Sequence, residues 1–289
     1  MAGNGVRVSL VGQGISASLT PAMHMAEGRT LGMDYSYGLT DTVTPQHQGR
    51  ALPEIVETAQ ADGLAGLNIT HPYKMEVIAC LDDLSDDARK LGAVNTVVFR
   101  DGAKIGHNTD YTGFAAAFRQ QMGDAPKDRV LLLGAGGAGA AIAFALVDCG
   151  VRQLLIHDPD PEKSQDLLQK LRAFYPGPDV RVVDAPDQAM AKGLNGLVNA
   201  TPFGMKAYPG SAFPLPLLAP DMWVADAVYF PLETRLLAAA QGIGCRIMPG
   251  SAMAIWQAVH AFELFTGHDA DPQRFARVFR QLTQAPGQV

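Results

Sequence analysis

The segment Leu131-Leu132-Leu133-Gly134-Ala135-Gly136-Gly137-Ala138-Gly139-Ala140 limits what this chain can fold into more than any other. An apolar run stops at a glycine, further glycines follow at close spacing, and a long apolar stretch over residues 138–148 resumes. Glycines there permit a tight turn and a close approach of backbone to a ligand. The helix beyond offers free N–H groups and the positive end of its dipole. The G-x-G-x-x-G pattern between a strand and a helix therefore suits a pyrophosphate. A tight turn that binds nothing can carry the same glycines, so the following strand decides. Leu154-Leu155-Ile156-His157 ends at Asp158, near the ~20-residue spacing at which dinucleotide-binding folds place an acid. That carboxylate can accept hydrogen bonds from a ribose diol, and it repels a 2′-phosphate. At an effective dielectric of ~20 the repulsion is on the order of several kcal/mol per charge pair before screening. No arginine occurs in residues 159–170, Lys163 is the nearby cation, and Arg152 starts the strand about 20 Å away. NAD is therefore expected over NADP.

The rest of the chain alternates in the same rhythm. Strands are expected at 6–12, 35–41, 64–70, 129–133, 152–157, 181–184, 196–199 and 223–227. Helices are expected at 21–31, 53–62, 112–122, 138–148, 161–175, 252–266 and 271–283. Asp101-Gly102 between residues 94–100 and 103–107 is a strong two-residue hairpin signal. Strand and helix in turn imply parallel pairing with right-handed crossovers. The expected fold is α/β with two domains. A Rossmann-type NAD-binding domain, residues 111–245, is inserted into an α/β substrate-binding and catalytic domain, residues 1–110. Helices in residues 246–289 complete the latter.

Composition narrows the function classes. The chain has 289 residues, 47% of them hydrophobic and 18% charged, with a net charge of −6. That excludes a disordered chain, and the lack of a basic block argues against nucleic acid as a partner. Cys80, Cys149 and Cys245 are far apart with no CxxC pair, so neither a disulfide framework nor a metal site is expected. No signal segment opens the sequence, and the most apolar stretch, residues 138–147, is too short to span a bilayer. A cytoplasmic protein acting on a small molecule, without a membrane partner, is the expectation; oligomeric state is not legible, and a homodimer is left open.

Several polar clusters fall at element ends. Ser16-Ala17-Ser18-Leu19-Thr20-Pro21 places three hydroxyls before a helix, where hydroxyls and free N–H groups together can hold a carboxylate. Thr20 could equally serve as a simple N-cap. Asn68-Ile69-Thr70-His71-Pro72-Tyr73-Lys74, Gly92-Ala93-Val94-Asn95-Thr96 and Asn108-Thr109-Asp110 add a cation, amides and a carboxylate. Singly, each is ordinary turn chemistry. Together they match the needs of a polyol acid bound beside a nicotinamide.

These motifs resemble the shikimate dehydrogenase family. Ser18-Leu19-Thr20-Pro21 with His24 is similar to its Ser-x-Ser-Pro carboxylate loop. Residues 68–74 resemble its lysine motif, 92–96 its Gly-Ala-Val-Asn-Thr segment, and 108–113 its aspartate motif. Val198-Asn199-Ala200-Thr201-Pro202-Phe203-Gly204-Met205 and Asp226-Ala227-Val228-Tyr229 resemble two cofactor-side loops. Met253, Gln257, Phe262-Glu263-Leu264 and Thr266-Gly267 resemble its C-terminal signature. The resemblance implies that Ser18 and Thr20 hold a substrate carboxylate. It implies that Thr70, Asn95 and Gln257 bind ring hydroxyls with Tyr229 nearby, and that Lys74 and Asp110 flank the reacting hydroxyl. Gly134, Gly136, Gly137, Ala138, Gly139 and Asp158 would hold the cofactor, and Thr201, Val228 and Gly250 would line its nicotinamide end. Thr20 and Asp158 depart from the NADP-dependent biosynthetic members and look like the NAD-dependent quinate/shikimate branch. The alternatives are an NADP-dependent shikimate dehydrogenase, an enzyme for an aminated analogue, and a non-catalytic regulator that binds quinate or NAD.

Overall fold

The computed structural model describes residues 5–284. They divide into two compact units, one built from residues up to 109 together with those from 255 onward, the other from residues 110–254. The first unit holds strands β1 (Val6–Gly12), β2 (Tyr35–Asp41), β3 (Gly66–Ile69), β4 (Asp83–Leu84), β5 (Thr96–Arg100) and β6 (Ala103–His107), in sheet order β2-β1-β3-β5-β6-β4. β1 runs parallel to β2 and β3, and β3, β5 and β6 alternate in direction. The hairpin joining β5 to β6 turns at Asp101 (φ 52°) and Gly102 (φ 82°), the pair of positive φ values that an Asp-Gly turn is chosen for.

Side-chain alternation gives this sheet two apolar faces. Val11, Leu67, Ile69 and Val97 meet Leu52, Ile55, Val56 and Ala59 of helix α2 (Leu52–Ala61). Val8, Leu10 and Val98, with the opposite parity, pack with Ala261 and Phe265 of helix α8 (Gly250–Thr266). Helix α1 (Thr20–Thr30) and helix α9 (Pro272–Gln284) close over α8 through Met23, Phe262, Phe275 and Phe279. Glu27 on α1 ties this layer together. Its carboxylate accepts Nε of Arg274 at 2.7 Å, a second Arg274 nitrogen at 2.8 Å and the Asp271 N–H at 2.9 Å.

The second unit carries β7 (Arg129–Leu133), β8 (Gln153–His157), β9 (Asp179–Val182), β10 (Gly196–Asn199), β11 (Trp223–Asp226) and β12 (Arg246–Met248). Their order is β12-β11-β10-β7-β8-β9, and each pairing is parallel. Counted from β7 this is 3-2-1-4-5-6, the order of doubly wound dinucleotide folds. Helices α4 (Thr109–Met122), α5 (Gly137–Asp148), α6 (Pro161–Phe174) and α7 (Arg235–Gly242) complete it. Leu131, Leu132, Leu133, Leu154, Leu155 and Ile156 are at most 2% exposed, so both faces of the central strands are covered. That is why those strands read as unbroken apolar runs rather than alternating ones.

Among the strands and α-helices, four short ones lie outside the sequence expectation: β4, helix α3 (Asp86–Leu91), α7 and β12. Each is too short to show a period, and local chemistry fixes the helices. Ser85 caps α3 by accepting the Ala88 N–H at 3.3 Å, and Gly92 ends it at φ 64°. Thr234 caps α7 through the Leu237 N–H at 3.3 Å. β12 extends the second unit's sheet, and that unit runs to Ala254, where the sequence expectation set a boundary at 245. Among the described residues no helix is long and apolar enough to cross a membrane, and no group of three or more His, Cys, Asp or Glu side chains is placed to hold a metal.

The Glu27–Arg274 pair gives a stability test. Glu27 has no exposed side-chain surface, whereas 31% of the Arg274 side chain is exposed. Glu27→Ala therefore leaves Arg274 with water and the half-exposed Asp271 carboxylate, 3.3 Å away, as its remaining partners. The expected loss is about 2–3 kcal/mol, below the cost of breaking a fully buried pair, as read from urea unfolding. A loss under about 0.5 kcal/mol would place the pair among inert surface ion pairs.

Candidate active site

In the first unit, backbone hydrogen bonds gather three of the expected residues. The Ile69 N–H donates to the Asn95 carbonyl at 2.8 Å, the Tyr73 N–H to the Thr70 carbonyl at 3.0 Å, and the Val94 N–H to the Lys74 carbonyl at 2.8 Å. Thr70 and Lys74 thus belong to one turn, pinned against the segment that carries Asn95. The Asn95 Oδ1 accepts the Thr109 N–H at 2.7 Å and the hydroxyls of Thr109 and Thr96, each at 3.1 Å. An N–H can only donate, so this contact settles which end of the amide is oxygen. The Asn95 Nδ2 is the end left to meet a ligand as a donor. Asp110 follows Thr109 directly, so the same bonds anchor the chain next to that carboxylate.

Asn68 is a supporting residue that the sequence reading did not single out. It is 4% exposed, accepts the Tyr37 hydroxyl at 2.7 Å, and donates to the Thr96 hydroxyl at 3.0 Å and the Asn95 carbonyl at 3.3 Å. Its polarity at the end of a buried strand was the available signal, because a buried amide must find partners.

The hydroxyl-rich loop before α1 has a different organiser, also absent from the sequence reading. The Asp41 carboxylate accepts the N–H groups of Gly14 at 3.0 Å, Ile15 at 2.9 Å and Val43 at 3.3 Å. Lost hydration works against its charge, but the N–H donors of Ile15, Val43 and Gly14, and then His47, outweigh it and hold Asp41 below the usual carboxylate range. Gly12 lets this loop lie against the lysine turn, since a Cβ there would sit 2.3 Å from Thr70 Cγ2. The N-cap of α1 is Leu19, with no side-chain capping bond, so Thr20 does not act as the cap. Ser18 Oγ accepts the Thr20 N–H at 3.4 Å, and both residues are half-buried. His24 is a core residue: it is fully buried, its Nδ1 lies 2.9 Å from the Tyr35 hydroxyl, and burial lowers its pKa to about 3. Gln257 is half-buried on α8, one turn before Ala261, which packs with Ile15.

In the second unit, the four glycines of the turn divide into two kinds. At Gly134 (φ 94°) a Cβ would meet the Ala200 carbonyl at 2.9 Å, and at Gly139 it would meet the Gly134 carbonyl oxygen at 2.0 Å. Gly134 lets the turn lie against the segment after β10, and Gly139 sets how closely α5 approaches the end of β7. At Gly136 and Gly137 nothing lies within 4 Å of that position, so a side chain is missing there in favour of open space. The Ala140 N–H bonds the Gly136 carbonyl at 2.8 Å, which leaves the N–H groups of the first turn, including Ala138, directed beyond the helix. This cradle fits a pyrophosphate.

Asp158 stands at the end of β8. One of its oxygens accepts the Ala135 N–H at 2.8 Å and the other the Asp160 N–H at 2.9 Å. Each carboxylate oxygen has a second lone pair, so a ribose diol can still be accepted. Lys163 lies 3.5 Å from Asp160, which occupies the nearby cation. Thr201, Val228 and Gly250 also lie in this unit; a Cβ at Gly250 would stand 2.4 Å from the Val228 carbonyl oxygen. Tyr229 belongs here too and is 41% exposed. Its hydroxyl is raised above the ordinary value first by lost hydration and then by the Asp110 carboxylate. The exposure makes the hydration loss partial, so the informative fact is that Asp110 and Tyr229 lie within electrostatic reach.

A 3-2-1-4-5-6 parallel sheet with this glycine cradle and terminal carboxylate defines a doubly wound dinucleotide-binding fold. Known proteins agree. Residues 10–97 match the family described as shikimate dehydrogenase substrate binding domain, and residues 250–278 match the shikimate 5′-dehydrogenase C-terminal domain. A quinate/shikimate dehydrogenase (NAD(+)) of Corynebacterium efficiens is 46% identical, over 96% of this chain and 98% of its own. A shikimate dehydrogenase (NADP(+)) of Pseudarthrobacter chlorophenolicus is also 46% identical, over 96% and 95%. The solved quinate dehydrogenase of Corynebacterium glutamicum in complex with NAD superposes with a TM-score of 0.92 at 43% identity, covering 96% of this chain and 99% of that one. The chain belongs to the shikimate dehydrogenase family.

Asp41 supplies a test of the loop. Its folded pKa is depressed, so the stability it contributes is present above the unfolded value and is lost as pH falls through the folded one. Asp41→Asn should therefore flatten the acid limb of the stability curve below about pH 4. Equal steepness in thermal melts of both proteins across that range would remove Asp41 as the loop's charged anchor.

Proposed function

We propose that this protein is an NAD-dependent dehydrogenase that oxidises quinate, shikimate or both at the C3 hydroxyl to the 3-dehydro acid. The observation that carries the cofactor choice is the Asp158 carboxylate, fixed by the Ala135 and Asp160 N–H groups. Overall identity does not separate NAD from NADP, because relatives of both kinds match at 46%. The end of β8 supports the NAD reading. A 2′-phosphate there would meet Asp158 and Asp160, with no arginine in residues 159–170 and with Lys163 already beside Asp160. A diol would instead donate to Asp158 in charge-assisted bonds.

Oxidising a secondary alcohol removes a hydride from carbon and a proton from oxygen. The dinucleotide, when bound, supplies the hydride acceptor. The protein's part is to hold the alcohol and move its proton. In this reading Lys74 and Asp110 take the reacting hydroxyl between them. Asn95 donates its Nδ2 to a ring hydroxyl, Thr70 and Gln257 bind others, and Tyr229 adds a hydroxyl beside Asp110. Ser18 and Thr20 hold the carboxylate, and the uncapped state of Thr20 leaves its hydroxyl for that purpose. Thr20, in place of the second serine of the carboxylate loop, stands where quinate, with its extra C1 hydroxyl, and shikimate would be told apart.

Lys74→Ala should lower kcat by about 10²–10⁴ while KM changes less, because proton transfer matters most at the transition state. A kcat within fivefold of wild type, measured by the absorbance of reduced cofactor with saturating quinate or shikimate, would reject the general-base role.

The cofactor choice is tested by steady-state rates with quinate and shikimate against NAD and NADP. NAD should be favoured in kcat/KM by at least ~10², which corresponds to ~2.7 kcal/mol. Asp158→Ser combined with Pro159→Arg should shrink or reverse the ratio by removing a repulsion and adding a guanidinium. Comparable use of NADP by the wild type would move the enzyme to the NADP-dependent shikimate dehydrogenases.

A further inference from the structure

Asp226 is the last residue of β11 and is directly opposite Asn199, the last residue of β10. Ligands of open parallel sheets bind beyond such strand ends. Asp226, Asn199 and Thr234 are each at most 1% exposed, so this is a buried polar cluster. One Asp226 oxygen accepts the Val228 N–H and the Asn199 Nδ2, both at 2.9 Å. The other accepts the Thr234 hydroxyl at 2.6 Å. Asn199 carries the connection onward. Its Oδ1 accepts the Thr201 N–H at 3.1 Å and the Thr201 hydroxyl at 2.6 Å, and its Nδ2 also donates to the Phe203 carbonyl at 3.0 Å. Thr234 in turn caps α7.

One carboxylate therefore fixes two loops. It holds Val228 directly, Thr201 through Asn199, and the far end of the second loop through Thr234. The price of keeping an acid there is visible: burial pushes Asp226 up to about 6, against the pull of Thr234, Val228 and Asn199. A buried ion kept only for packing could be replaced by apolar groups at little cost. Here each lone-pair partner instead lies in, or leads into, a loop that carries a cofactor candidate.

We propose that Asp226 is the positioning residue for the nicotinamide half of the cofactor, setting the Thr201 and Val228 loops without touching the ligand itself. This rests on the dinucleotide reading above. The adenosine half is held elsewhere, by the glycine cradle and Asp158, and so should not depend on Asp226.

The test is calorimetric binding of NAD and of ADP-ribose, which lacks the nicotinamide, to wild type, Asp226→Asn, Thr234→Val and Thr234→Ser. In Asp226→Asn the amide turns a donor toward Thr234, and that buried hydroxyl loses its acceptor. NAD affinity should fall about tenfold while ADP-ribose affinity stays within twofold. Thr234→Val should weaken NAD alone by about threefold, and Thr234→Ser, which keeps the hydroxyl, should restore wild-type affinity. Equal weakening of both ligands, or unchanged NAD affinity in a folded variant, would overturn the assignment. If Asp226→Asn does not fold, Thr234→Val and Thr234→Ser decide it by the same criterion. Wild type that binds neither ligand would instead overturn the dinucleotide reading, and this inference with it.

Discussion

The close approach of α5 to β7 is the contact on which the cofactor side of this molecule depends. A Cβ at Gly139 would be 2.0 Å from the Gly134 carbonyl oxygen, so no other residue fits there without moving the helix away. Moving it would carry off the first-turn N–H groups that face the cradle, and with them the dipole's positive end. It would also break the bond from the Ala135 N–H to Asp158, which ties the glycine turn to the end of β8 at 2.8 Å. Two glycines serve packing and two serve the opening. The fingerprint is thus a single device: it brings a helix end close enough to hold phosphate and then leaves room for the phosphate to enter.

Each unit supports its site by the same means, a buried polar group whose bonds run to backbone or hydroxyl donors on neighbouring segments. In the first unit the Asn95 amide accepts the Thr109 N–H, which connects the lysine turn to the segment leading to Asp110. In the second unit Asp226 joins the loops after β10 and β11. Such groups are costly to bury unless each partner is satisfied, and once satisfied they fix loops more tightly than apolar packing does. Loops that carry chemistry are otherwise mobile parts of a structure. Tying their first residues to strand ends gives side chains on loops some of the precision of side chains on strands.

The legible part of the sequence was that governed by periodicity and punctuation. The twin-sheet α/β plan, the Asp-Gly hairpin and the glycine turn all rest on repeating apolar patterns or on residues with special backbone freedom. α3, α7 and β12 were not legible, because a helix of six or eight residues shows no period and a three-residue edge strand shows no alternation. Residues at strand ends could be named as polar and out of place, but not sorted into ligand-facing and supporting groups. Asn68 and Asn95 show why. They are the same residue type at neighbouring strand ends; Asn68 has both ends engaged inside the protein, whereas the Oδ1 of Asn95 takes three hydrogen bonds from neighbouring threonines. His24 was read with the carboxylate loop because of its position, yet it faces the aromatic core of Tyr35, Phe262 and Phe275.

Asp158 has a structural duty beside the recognition role proposed for it. Its oxygens already accept the Ala135 and Asp160 N–H groups, so the carboxylate is part of the turn whatever it recognises. Exchanging it for a neutral residue removes a repulsion and a brace in one step. A guanidinium added at position 159 would supply the phosphate's counter-charge, but Asp160, which caps α6 through the Glu162 N–H at 3.1 Å, would compete for it. An exchange at this strand end therefore acts on two residues, Asp158 and Asp160, that have structural duties of their own.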